Sequence, residues 1–120
     1  MRVLLHASET DRDGGRLQIA VQKVFSRKDL EVLRSVEELK ASLHIPLGQK
    51  ALGILMAANV GELRDILLLK NLMKNLAVVL VVPNYKPETL TLAHLLLPRY
   101  LEHKGNDFND LARVLTYLAG

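Results

Sequence analysis

Residues 77–82 read AVVLVV and are closed by Pro83-Asn84. Val78, Val79, Val81 and Val82 are β-branched, which stiffens the backbone toward an extended form. No polar residue alternates with them, so both faces of the segment are expected to be buried. That pattern belongs to an interior strand of a parallel sheet covered by helices on both sides. A second apolar run, ALGILMAA at residues 51–58, is expected to lie beside it. Function is then expected at the carboxyl ends of these two strands, or on the helices that flank them.

Working outward, residues 2–7 form a first strand, and residues 8–15 (SETDRDGG) a loop rich in turn formers. From Arg16 the period becomes helical, with Leu17, Ala20, Val21, Val24 and Phe25 on one stripe. Residues 26–29 end that helix, and residues 30–34 read as a short edge strand. Ser35 and Glu38 have capping-box spacing and open a helix that carries Leu39 and Leu43. Residues 45–48 break it at Pro46. After the strand at 51–58, residues 62–76 read as a helix of about four turns. Its core face is Ile66, Leu69, Leu72, Met73 and Leu76, with Leu63 and Leu67 off that face. Pro87 suits the start of a helix at 88–97 with the stripe Leu90, Ala93 and Leu97. Pro98 ends it, residues 99–103 form the last strand, and Asn106 or Asp107 caps a final helix lined by Phe108, Leu111, Ala112, Leu115 and Leu118.

Strand and helix thus alternate five times with short connections. This implies parallel strands joined by right-handed crossovers, an α/β doubly wound sheet in the order 2-1-3-4-5. The 120 residues are expected to form a single domain, 1–120, with 49% hydrophobic and 24% charged residues. The chain has no cysteine, which excludes disulfides, zinc–thiolate sites and thiol catalysis. The apolar run at the amino terminus is too short for a signal peptide, and no stretch is long enough to span a bilayer. A cytoplasmic protein without membrane contact is expected. A net charge of +3 spread along the chain and five aromatics without a tryptophan speak against nucleic acid as the main partner.

This layout resembles the receiver domain of bacterial response regulators over nearly the whole chain, and the resemblance implies their flavodoxin-like three-layer fold. It is carried by Arg2-Val3-Leu4-Leu5, which is similar to the family's first strand. More specific is Tyr100-Leu101-Glu102-His103-Lys104 with NDFNDLARVL at residues 106–115, which is similar to the fifth strand and last helix. A working receiver holds Mg²⁺ with two acids after the first strand, because a hard divalent ion takes carboxylate oxygens. An Asp ending the third strand accepts the phosphoryl group. A Thr or Ser ending the fourth strand and a Lys ending the fifth read the new dianion. Aligned here, the acid pair falls on Ala7 and Ser8, the acceptor on Met56, the hydroxyl on Val82 and the lysine on His103. Lys104 then stands where a proline usually follows. A slip of a residue or two would matter at Glu9 and His103 but would not supply an acceptor, since no Asp or Glu lies between Glu38 and Glu62. The resemblance therefore implies a degenerate pseudo-receiver with no phosphoryl chemistry, no metal and no cofactor.

Other candidate sites have plainer explanations. Glu9, Asp11 and Asp13 could keep a cation site, but acids before a helix are also favoured by its dipole. Gly14-Gly15 could face an anion, but no phosphate-loop signature is present and a flexible turn is the simpler reading. His6 and His103 should end two strands on the functional edge and could pair for metal or pH sensing, though no other ligand accompanies them; His44 and His94 are scattered. The off-stripe leucines fit either an interface or a broad core-facing surface in a small protein. Leu92 and Leu95 fall off the stripe of their helix, Val114 and Tyr117 off that of the last helix, and Arg99, Glu102 and Arg113 could form a polar rim.

The expected function is a non-enzymatic signalling or assembly module acting on a protein partner, a second copy of the chain being one. Two alternatives remain: a small-ligand sensor using the pocket of Ala7, Ser8, Met56, Val82 and His103, or an enzyme of unrecognised chemistry on a common fold.

Overall fold

The structure, a computed structural model, describes residues 1–8, 11–46 and 51–119. Five strands make one sheet: β1 (Arg2–His6), β2 (Leu30–Leu33), β3 (Ala51–Met56), β4 (Leu76–Val82) and β5 (Tyr100–His103). All neighbours are parallel and the order is β2-β1-β3-β4-β5, as the alternation of elements implies. The connecting helices are α1 (Arg12–Gln22), α2 (Val36–Leu43), α3 (Val60–Leu67), α4 (Pro87–His94) and α5 (Asn109–Ala119). This is the flavodoxin-like, doubly wound architecture.

Successive residues of the central strands feed opposite layers. Leu52, Ile54, Met56, Val79 and Val81 pack with Leu17 and Val21 of α1 and with Phe108, Leu111 and Leu115. Ala51, Leu55, Val78, Leu80 and Val82 pack with Leu39, Leu63, Ile66 and Ala93 of α2, α3 and α4. The unbroken apolar run in β4 is thus two half-runs, one for each layer. Burying each such side chain stabilises the fold by about 1.5–3 kcal/mol.

Helix ends depart from the expected boundaries, each for a local reason. α1 starts at Arg12 and takes in Asp13, Gly14 and Gly15, so the glycines are not a turn. The Asp11 carboxylate accepts from the Asp13 N–H at 2.9 Å and caps the helix. α3 likewise starts at Val60, because Asn59 Oδ1 accepts from the Glu62 N–H at 2.8 Å. That phase buries Leu63 fully, against the expectation that it lay off the core.

The expected four-turn helix stops at Leu67 and a single 3₁₀ turn, Lys70–Leu72, follows. The tighter winding keeps Leu69 and Met73 in the core while Leu68 turns out, 81% exposed. α4 ends at His94. Leu97, expected in its core stripe, is 76% exposed at φ 53°. Pro98 bars a helical conformation at the preceding residue, and Leu96 takes the buried place instead. Asp107 Oδ1 accepts from the Asn109 N–H at 3.0 Å where α5 begins. The second half of the break after α2, Leu47-Gly48, lies outside the described residues.

The two glycines of α1 make opposite demands. A Cβ on Gly14 would sit 2.8 Å from the Ser8 carbonyl oxygen, while one on Gly15 would meet nothing within 4 Å. Gly14→Ala should therefore destabilise the protein by about 1–3 kcal/mol through overpacking against backbone. Gly15→Ala should stabilise it by about 0.5–1 kcal/mol through helix propensity. Urea denaturation of the two variants checks this, and equal effects would contradict the close approach of α1 to the end of β1.

Candidate functional site

The strand order reverses between β1 and β3, so their carboxyl ends open the crevice where this fold places its chemistry. Three of the five aligned pocket residues do not face that crevice. Ala7 and Met56 are buried in the layer under α1 and α5, and Val82 in the opposite layer. Ser8 is half-buried and interacts with the chain around it.

What spans the crevice is an ion pair. Lys104 Nζ lies 3.1 Å from Asp11 Oδ2 and donates to the Ala58 carbonyl at 3.3 Å. The contact joins the cap of α1, the segment after β3 and the segment after β5. Its lysine is placed by backbone, since the Lys104 N–H donates to the Val82 carbonyl at 2.9 Å. Alignment put the lysine position on His103, but in space Lys104 supplies the ammonium. His103 instead stacks obliquely on Tyr85, with ring centroids 5.2 Å apart, and its Nδ1 accepts from the Gly105 N–H. The available signal was the lysine immediately following the aligned position.

Two of the first-loop acids are spoken for. Asp11 holds Lys104 and the helix cap, and Asp13 pairs with Arg16 at 3.0 Å. Glu9 lies outside the described residues. Among the described residues no three His, Asp or Glu side chains cluster as metal ligands.

The two strand-end histidines do not form a pair. β1 and β5 are separated by two strands, an offset of about 14 Å at the usual strand spacing. His6 is fully buried, and its Nδ1–H donates to the Met56 carbonyl at 3.0 Å. Its Nε2 has no hydrogen-bond partner among the described residues. Burial lowers its pKa below the usual value, partly opposed by the Glu62 carboxylate, the Met56 carbonyl and the Glu38 carboxylate. His44 and His94 are exposed on their helices.

The expected interface residues divide. Leu95 and Tyr117 are 48% and 84% exposed, and Arg99 and Arg113 are exposed. Leu92 and Val114 are half-buried. Glu102 does not belong to the rim, because it is buried. Its carboxylate accepts from the Tyr100 hydroxyl at 3.1 Å, the His103 N–H at 3.0 Å and the Asn106 amide. Burial and the Glu102 charge push the Tyr100 phenol up to about 12, so it remains a donor at neutral pH.

No family model matches the chain, and no curated protein sequence matches it. Solved structures do. A response regulator from Thermotoga maritima superposes with a TM-score of 0.67 at 12% identity, covering 100% of this chain and 99% of that one. A putative pilus assembly-related protein from Burkholderia pseudomallei superposes with a TM-score of 0.67 at 20% identity, covering 99% and 90%. At these identities the likeness establishes a shared fold.

The buried histidine sets a pH dependence. Its folded pKa lies below that of the unfolded chain, about 6.5. The unfolded state therefore binds the proton first. Stability from neutral His6 is complete above about pH 6.5 and declines as pH falls toward the folded pKa, by at most about 1.4 kcal/mol per pH unit. In urea denaturation from about pH 7.5 to 5, wild type should lose stability faster than His6→Gln. An NMR titration placing the His6 pKa at or above 6.5 would refute it.

Proposed function

We propose that the chain is a receiver-like signalling or assembly module that takes no phosphoryl group, catalyses no reaction and acts by binding protein. The observation that carries this is the content of the crevice. Met56 stands at the acceptor position with its side chain in the core, and a thioether offers no oxygen for transfer. The lysine that would read a phosphoryl dianion is already neutralised by Asp11.

Neither alternative is favoured. A ligand sensor at the former pocket would need walls, and Ala7, Met56 and Val82 are packed away from any ligand. An enzyme would need convergent reactive groups, and the strand-end residues named here do not converge. The Burkholderia protein of like fold is described as pilus assembly-related, which gives the assembly half of this reading a precedent. The reading places the module in the cytoplasm, in keeping with a cysteine-free sequence.

The surface we assign to the partner is that of α4, β5 and α5, and the partner favoured is a second copy. Leu95 and Tyr117 supply apolar area, with Leu92 and Val114 beside them. Arg99, Arg113 and Asp110 supply a rim of both signs, as an isologous contact requires. Burying a leucine is worth about 1.5–3 kcal/mol, and a two-fold contact counts each twice.

Incubation with acetyl phosphate and Mg²⁺ followed by intact-mass spectrometry should show no added phosphate. A labile adduct mapping to the carboxyl edge of the sheet would overturn the reading. Sedimentation across a concentration series should show a reversible dimer that needs no activator and that Leu95→Glu shifts strongly toward monomer. A dimer untouched by that charge, or a monomer at every concentration, would remove this surface from the account.

A further inference from the structure

The sheet edge opposite the Asp11–Lys104 pair is open. The amino ends of β3 and β4, with Arg99 before β5 and the last turns of α5, border an open hollow of about 610 Å³. That lies within the range of small-ligand sites, roughly 300–1,000 Å³. Its floor is apolar, with Leu52, Leu76 and Ala77. Its charged side chains among the described residues are Lys74 and Arg99, with no acid, and Met1 also lines it. Neither cation has an acid within ion-pair distance among the described residues. Two unpaired like charges beside one hollow repel each other and favour an anion between them. At the rim stands Tyr117, 84% exposed, a ring with a free face for an aromatic neighbour.

We propose that this cavity binds a small organic anion, a phosphate or carboxylate held by Arg99 and Lys74 on an aromatic body that lies over the apolar floor beside Tyr117. The guanidinium fork matches either headgroup in bidentate fashion. The flat body accounts for a hollow larger than a bare oxyanion would need. Arg99 and Tyr117 also belong to the surface assigned to a second copy, so the ligand and the second copy would compete there. Lys74 belongs to the cavity alone, and Leu95 to the surface alone.

The test is amide NMR titration with phenyl phosphate, benzoate, inorganic phosphate and benzyl alcohol. Phenyl phosphate or benzoate should give saturable shifts at residues 74–77, 99 and 117–118, and the better of the two identifies the headgroup. Inorganic phosphate and benzyl alcohol should each bind at least about tenfold more weakly, since each lacks half of the match. Lys74→Ala and Arg99→Ala should each weaken binding about tenfold or more, as loss of a charge-assisted hydrogen bond does. Lys74→Ala should leave sedimentation unchanged, and Leu95→Glu should leave ligand binding unchanged, so failure of the dimer and failure of the ligand site are separable. No saturable shift with either organic anion, benzyl alcohol or inorganic phosphate binding as tightly as they do, or binding indifferent to both charge deletions would overturn the proposal.

Discussion

Two-sided burial of the β3–β4 pair is the constraint on which the rest of the molecule depends. Ile54 faces Val79 across the ladder, and Leu55 faces Leu80, with all four fully buried. Strands without a polar face cannot border water, so a helical layer must cover each side. Parallel pairing then requires each connection to cross over the sheet. The alternation of elements, the two cores and the position of the crevice follow from that requirement. β1 completes the centre, with Leu5 opposite Ile54 and His6 opposite Leu55, and this ladder carries His6 into a buried position.

The fold was legible because its strongest signal, a run of β-branched residues, is local and has one physical meaning. Helix boundaries were less so, because they are set by single hydrogen bonds that compete with turn formation. Asp11 reads equally well as a loop acid and as a cap, and only the Asp13 N–H decides between them. Leu97 matched a helical stripe, but it leaves the helix before Pro98 at a positive φ that no periodicity encodes. At the site, the absence of an acceptor at Met56 was plain from residue type. The lysine was harder. Whether residue 103 or 104 reaches the crevice depends on how the chain leaves an edge strand, and one residue reverses the side-chain direction. Glu102 shows the limit most clearly. A glutamate on a short edge strand reads as solvated, and its burial rests on Tyr100 and Asn106 reaching it in space.

The two ends of the sheet are thus unlike. At the carboxyl end Lys104 is paired with Asp11, and Ala7, Met56 and Val82 are packed in the core. At the amino end two cations stand unpaired around a hollow. Ligand chemistry in doubly wound folds belongs by topology to the carboxyl end, where helix amino termini converge. In this chain a lysine and its partner aspartate span that end, and the hollow lined by Lys74 and Arg99 lies on the far side of the same strands.

The buried glutamate on β5 also bears on how copies of this chain can meet. A sheet of five parallel strands ends in two open ladders, each a template for a further strand. Both borders here have a carboxylate within the strand: Glu102 on β5, turned inward, and Glu31 on β2, tied to Ser42 and Arg2. A strand added along either border would crowd these anions and disturb the partners that hold them. The fold therefore resists growth into a continuous ribbon, the route by which sheet proteins form fibres. Contacts between molecules are left to surfaces other than the strand ladders, where they can close on themselves and stop.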